Sequence, residues 1–213
     1  MGVNMAGNCI IDDEVCQEAS KQEILRRYYQ AKADVLTGRA DASCIYKIEL
    51  LMKQAKITEE DRKVTVAANN RAKLTGAPAA ALELSDGRII TGKTSNLLGA
   101  SAALLLNALK ELAGIDHLVH VISPEAIEPI QKLKTVYLGS QNPRLHTDEV
   151  LIALSISAVS NRDASAAMEQ IANLKGAQLH SSVMLSQVDL KTLKRLGIQV
   201  TCEPRYETKK LYH

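Results

Sequence analysis

Two short polar stretches carry the residues best suited to chemistry. The first, Gly87 to Thr94, reads G-RIIT-GKT and satisfies the phosphate-loop pattern GxxxxGK[ST]. Such a loop works when small residues let backbone N–H groups wrap a phosphate, the Lys reaches the terminal phosphates and the Ser/Thr hydroxyl binds magnesium. Here Ile89, Ile90 and Thr91 are β-branched and favour extension over a curled loop. "SDG" before them is itself a turn signal. The spacing therefore predicts a hairpin whose second strand ends in Gly-Lys-Thr, with a nucleotide hydrolase using Gly87 to Thr94 as the sharp alternative.

A weaker anion site survives that reading. Lys93, Thr94, Ser95 and Asn96 precede the apolar run "LLGASAALLLNALKELAG", so they fall where free N–H groups and the helix dipole attract negative charge. The bland alternative is that Thr94 or Ser95 caps the helix. The second stretch, "SQNPRLHTDE" from Ser140 to Glu149, also opens a helix. Arg144 can grip a carboxylate or phosphate bidentately, and His146 titrates near neutrality. The expected ligand-binding set is thus Lys93, Thr94, Ser95, Asn96, Arg144 and His146.

Other combinations are poorer. A Cys202 nucleophile needs His146 or His180 within hydrogen-bond reach, which sequence does not show. His117 and His120 are three apart and in a strand would face opposite ways, so no metal is expected, and HExxH is absent. Whether a cofactor is used is not readable from these residues.

The elements that must position these residues follow from periodicity. Ile24, Tyr28, Ala31 and Val35 mark one helix, Ile45, Ile48 and Met52 a second with Asp41 as cap, and Thr58 with Asp61 opens a third. "TGAPAA" is the first clear break. The expected organisation is a helical segment over 1–76 and an α/β domain with a mixed sheet over 77–213. In the second part "AALEL" and "RIITG" read as strands, "HLVHVIS" as a buried strand, Ser123-Pro124-Glu125 as a helix start, and the end as strand, helix, strand. Strand, hairpin, apolar helix, strand and Ser-Pro helix start resemble the cytidine-deaminase-like arrangement, without its zinc ligands in "GASAALL" or "SPEAIEP".

Composition bounds the function. The 213 residues are 46% hydrophobic with a net charge of +2, enough for a real core but without the basic field that neutralises nucleic-acid phosphates. There is no Phe or Trp, so the core must be aliphatic. The four cysteines lack CxxC spacing and nothing resembles a secretory signal, which reads as a cytoplasmic protein with reduced thiols. No apolar run is long enough for a bilayer, so no membrane partner is expected.

Five segments, "MGVNMAGNCIIDDEVCQEASKQEILRRYYQA", "ALELSDGRIITGKTSNLLGASAALLLNALKELAG", "ISPEAIEPIQKLK", "YLGSQNPRLHTDEVLIALSISA" and "LGIQVTCEP", resemble bacterial domain-of-unknown-function family number 1846 over essentially the whole chain. The resemblance implies the C-terminal portion of a longer protein, with a Gly-rich nucleotide-type segment expected in the preceding half and Met1 internal. It supplies no established activity and no catalytic residues. Two functions are therefore expected: binding of a small anionic or phosphorylated ligand at helix N-termini, or an assembly module. The module would pack its Ile24–Tyr28–Ala31–Val35 stripe and apolar start "MGVNMAGNCII" on a missing N-terminal half or in a homo-oligomer.

Overall fold

The computed structural model describes residues 12–207. They fall into two compact units that divide after Lys63. The apolar start Met1 to Ile11 lies outside the described residues.

The first unit is helical. Helix α1 (Asp13–Leu36) is capped by Asp12, whose Oδ1 accepts from Val15 N at 3.0 Å, and Asp13 and Glu14 add negative charge to its first turn. Gly38 supplies the left-handed turn that follows. In α2 (Ser43–Ala55) the Asp41 carboxylate accepts from Ser43 N at 2.8 Å. Ile24, Leu25 and Tyr28 of α1 bury against Met52 and Ile57. The Ile24–Tyr28 part of the stripe is thus satisfied inside this unit. Thr58 and Asp61 do form a reciprocal box, Thr58 N donating to Asp61 Oδ2 at 2.7 Å, around a 3₁₀ turn at Glu59–Asp61.

The second unit is α/β. Helix α3 (Lys63–Thr75) is followed by β1 (Ala79–Glu83), β2 (Ile89–Lys93), α4 (Ala100–Leu112), α5 (Pro124–Lys132), a π-helical turn at Leu133–Tyr137, α6 (Thr147–Ser157), α7 (Arg162–Glu169), a 3₁₀ turn at Gln170–Leu174, β3 (Gln178–Ser181), α8 (Gln187–Arg195) and β4 (Gln199–Cys202). The boundary read at 76/77 lies just past α3, which ends at Thr75, whereas the compact units divide after Lys63, at the start of that helix. Val64 and Ala68 of α3 pack on Ala81 of β1, which groups that helix with the sheet.

The sheet is mixed, in the order β2-β1-β3-β4. β1 is antiparallel to both neighbours, and β3 runs parallel to β4 through the α8 crossover. Ala79, Ala80, Ala81 and Leu82 of β1 are fully buried because both faces are covered. Ala81 faces α3, and Ala80, on the opposite face by strand alternation, is the register partner of Gly92. Gly92 in turn meets α4: a Cβ placed there would overlap the backbone N and Cα of Leu104 and stand 2.8 Å from its Cβ. With no Phe or Trp in the sequence, the sheet closes its core with small residues and close backbone approach.

Two expectations are corrected. "HLVHVIS" is a loop, because Asp116 captures it: its Oδ1 accepts from Leu118 N at 2.7 Å and its carbonyl from Val119 N at 3.0 Å. Val121 and Ile122 bury from that loop, and the strand required for the cytidine-deaminase-like arrangement is missing at this position. The stretch "KTSN" does not open α4, whose N-cap is Gly99. Ser95 instead closes its own turn, its Oγ accepting from Leu97 N and Leu98 N at 3.2 and 3.0 Å.

Candidate functional site

The phosphate-loop alternative fails on geometry. Gly87, at φ 82°, makes the hairpin turn, with Leu84 N bonded to Arg88 O at 2.9 Å. Residues 89–93 are strand paired with β1. Gly92 serves helix packing, and Lys93 is exposed at the strand end. No backbone cradle forms around this motif.

Three of the six expected ligand residues converge elsewhere. Thr94, Arg144 and His146 line one cavity of ≈ 60 Å³, with Ser101, Ser181, Ser186, Asp189 and Glu207. Lys93, Ser95 and Asn96 are exposed and outside that lining. Two backbone links bring the loops together: Leu145 N donates to Leu97 O at 2.9 Å and Gly99 N to Leu145 O at 3.2 Å. The starts of α4, α6 and α8 therefore meet at one cavity, through Gly99 to Ser101, His146, and Ser186 to Asp189.

His146 occupies the N-cap of α6, which starts at Thr147. Its backbone N–H donates to Glu149 Oε2 at 2.7 Å, and the same oxygen accepts from Lys134 Nζ at 2.8 Å. Lys134, buried on the π-helical turn, also donates to Arg144 O at 2.7 Å, so one ammonium pins both ends of the 144–149 segment. Its own charge is spent on Glu149.

Asp189 fixes the imidazole. Its Oδ2 lies 3.0 Å from His146 Nδ1 and accepts from Ser186 Oγ at 2.7 Å, while its Oδ1 accepts from Thr147 N at 2.9 Å. A carboxylate on one helix thus caps the start of another. The Asp189 bond assigns the proton to Nδ1, leaving Nε2 to accept when the ring is neutral and donate when it is charged. The hydrogen bond to Asp189 outweighs burial and raises the His146 pKa above its ordinary value. Burial pushes Asp189 upward, but His146, Thr147 N–H and Ser186 together overcome it and hold the carboxyl below its ordinary value. Ser186 is not a nucleophile of triad type, because its Oγ, 3.4 Å from Nδ1, sits on the same nitrogen as the carboxylate.

Arg144 donates through Nη1 to Glu207 Oε1 at 2.7 Å. Both are only about a quarter exposed or less. The hydroxyls of Thr94 and Ser101, both buried, make no hydrogen bond among the described residues. The cavity therefore presents a guanidinium, a basic imidazole and two unspent hydroxyls, with each carboxylate already paired. At ≈ 60 Å³ it holds roughly two water volumes, room for the head of an anion and far too little for a nucleotide.

Comparison with known families agrees with the family that the sequence resembles, although the match is not confined to its C-terminal part. The description "Domain of unknown function DUF1846, C-terminal" matches residues 60–212, and "Domain of unknown function DUF1846, N-terminal" matches residues 1–56. The chain belongs to this family. The two matches meet close to the division after Lys63, so the helical unit carries the N-terminal description and the sheet unit the C-terminal one. Similar bacterial proteins include "UPF0371 protein cu0538" of Corynebacterium urealyticum, 55% identical over 212 residues. Others are "UPF0371 protein" of Corynebacterium glutamicum at 54% and "UPF0371 protein SUB1165" of Streptococcus uberis at 53%. Each match covers 100% of this chain and 43% of the relative. The chain thus spans less than half the length of these DUF1846-family relatives.

Sequence reasoning missed Asp189, Ser186, Lys134, Ser101, Ser181 and Glu207. Ser186-x-x-Asp189 carries a legible helix-start signature, but its pairing with His146 spans 43 positions and leaves no local trace. Cys202 is no nucleophile here. It is buried against Met184 Sδ at 3.7 Å, burial pushes its thiol up to about 11, and it bonds to no histidine among the described residues. No group of three or more metal-ligating side chains occurs among the described residues, nor does any helix there have the length and apolarity to cross a membrane.

Proposed function

We propose that the α/β unit binds a small anionic molecule, a phosphorylated or carboxylated metabolite, with its charged head between Arg144 and His146. The observation that carries this is the convergence of Thr94, Ser101, Arg144 and His146 on one small cavity where three helices begin. Oriented donors in a partly dry site favour anions, and the hydrogen bond to Asp189 raises the His146 pKa above its ordinary value, which favours a second positive charge there. The ligand's body lies outside the cavity, since only a head group fits. Glu207 occupies the Arg144 fork in the absence of ligand and competes with it. Lys93, Ser95 and Asn96, exposed and outside the lining, drop out of the proposed site.

Calorimetric titration with inorganic phosphate and glycerol 3-phosphate tests the reading. Saturable binding that weakens at least tenfold in Arg144→Ala, about 1.4 kcal/mol, supports it. Equal binding by wild type and Arg144→Ala refutes it.

A second reading, homo-oligomeric assembly, has one specific support. Ile152, Ile156 and Val159 recur at helical spacing on and just beyond α6 and are 59%, 67% and 88% exposed. Sedimentation that stays monomeric at high concentration, unchanged by Ile156→Asp, excludes self-association through this face.

A further inference from the structure

A second cavity in the α/β unit, ≈ 240 Å³, has a different character. Its walls are mainly apolar, through Leu97, Leu106, Val119, Val121 and Ile127, with the polar Ser95, Asn107, His117 and His120 also in the lining beside Lys110 of α4. Lys110 is only 6% exposed, and its Nζ donates to His117 O at 2.5 Å. That carbonyl takes one of three donors. Among the described residues no carboxylate lies within ion-pair distance of this ammonium, and no other acceptor for it occurs. Burial pulls its pKa below the ordinary lysine value, and the field of nearby Asp116 only partly opposes this.

A buried cation without a counter-charge is costly and is normally paired. Among the described residues of this unit the other buried lysine, Lys134, follows that rule through Glu149. Lys110 does not, and most of the surface beside it is apolar. The complement of one ammonium in a largely apolar lining is one negative charge on an apolar tail. A dianionic phosphate would need more positive charge than Lys110 alone supplies. At roughly 30 Å³ per small group the cavity accepts about eight non-hydrogen atoms, the size of hexanoate.

We propose that this cavity binds a short-chain monocarboxylate, its carboxylate paired with Lys110 Nζ and its tail lying among Leu97, Leu106, Val121 and Ile127. The site shares neither Arg144 nor His146 with the anion site, so either can fail alone.

The test is a titration of the chain with hexanoate and with hexan-1-ol, followed by lysine-methylene NMR and calorimetry. Hexanoate binds saturably and at least tenfold more tightly than the alcohol, and the Lys110 resonance moves with the same isotherm. Lys110→Met, which keeps the apolar stem, loses the preference for hexanoate. Equal affinity for acid and alcohol, binding that leaves the Lys110 resonance in place, or no saturable binding of hexanoate overturns the proposal. Because the first two readouts use the wild-type chain, misfolding of the variant does not blunt the test.

Discussion

Gly92→Ala separates the two roles open to the GKT motif. In the structure Gly92 lets β2 approach α4, and an added methyl overlaps the Leu104 backbone. The obstruction is main chain within a helix, which cannot swing aside as a side-chain tip does. Overpacking of this kind costs about 1–3 kcal/mol, and a rigid obstacle places Gly92→Ala near the top of that range. Replacing Gly also removes unfolded-state freedom, which returns about 0.4–1 kcal/mol. The expected net loss is about 2 kcal/mol, or roughly 4–8 °C in the unfolding midpoint for a unit of this size. Urea denaturation followed by far-UV circular dichroism reads it as a lower midpoint with unchanged slope. Lys93→Ala, at an exposed strand end, changes stability by less than about 0.5 kcal/mol. A neutral Gly92→Ala refutes the packing argument, and ATP-dependent stabilisation lost in Lys93→Ala would restore the phosphate loop.

Three further outcomes are expected. His146, whose pKa is raised above 6.5, contributes stability in full below that pH and loses it as pH rises through the folded value; Asp189, lowered from 3.8, contributes above that pH and loses it as pH falls through its folded value. Urea midpoints measured from pH 4 to 9 should therefore decline on the alkaline side in wild type, with that decline flattened in His146→Gln. Glu207→Gln frees the Arg144 fork, so phosphate should bind several-fold tighter by calorimetry, and unchanged or weaker binding counts against competition by Glu207. Cys202, buried with its thiol pushed up to about 11, should stay unmodified by iodoacetamide at pH 8 until urea unfolds the chain, as mass spectrometry of peptides would show.

Much of the fold is written in local pattern. The hairpin was legible because SDG and a β-branched run agree, and α4 because its apolar residues repeat all round a helix that is buried on nearly every side. The mixed α/β class followed from the same alternation. Local pattern misled where a side chain redirected the backbone. Asp116 turned an apolar run into a loop, and Ser95 spent its hydroxyl on its own turn, moving the start of α4 to Gly99. Arg144 and His146 were visible as chemistry in a polar loop. Their partners were not, since Glu207 and Asp189 lie 63 and 43 positions away and meet them only through the fold. Nor could spacing reveal that Thr94, just past the end of β2, joins the cavity while Lys93, its neighbour, faces solvent.

The central claim is that Arg144 and His146 hold one anion between them, and the most direct measurement is an anomalous difference map from crystals of this chain soaked in selenate. The account predicts a peak within hydrogen-bond distance of both the Arg144 guanidinium and the His146 ring, with Glu207 displaced. Selenate bound only at surface lysines, with the Arg144–Glu207 pair intact, would contradict it.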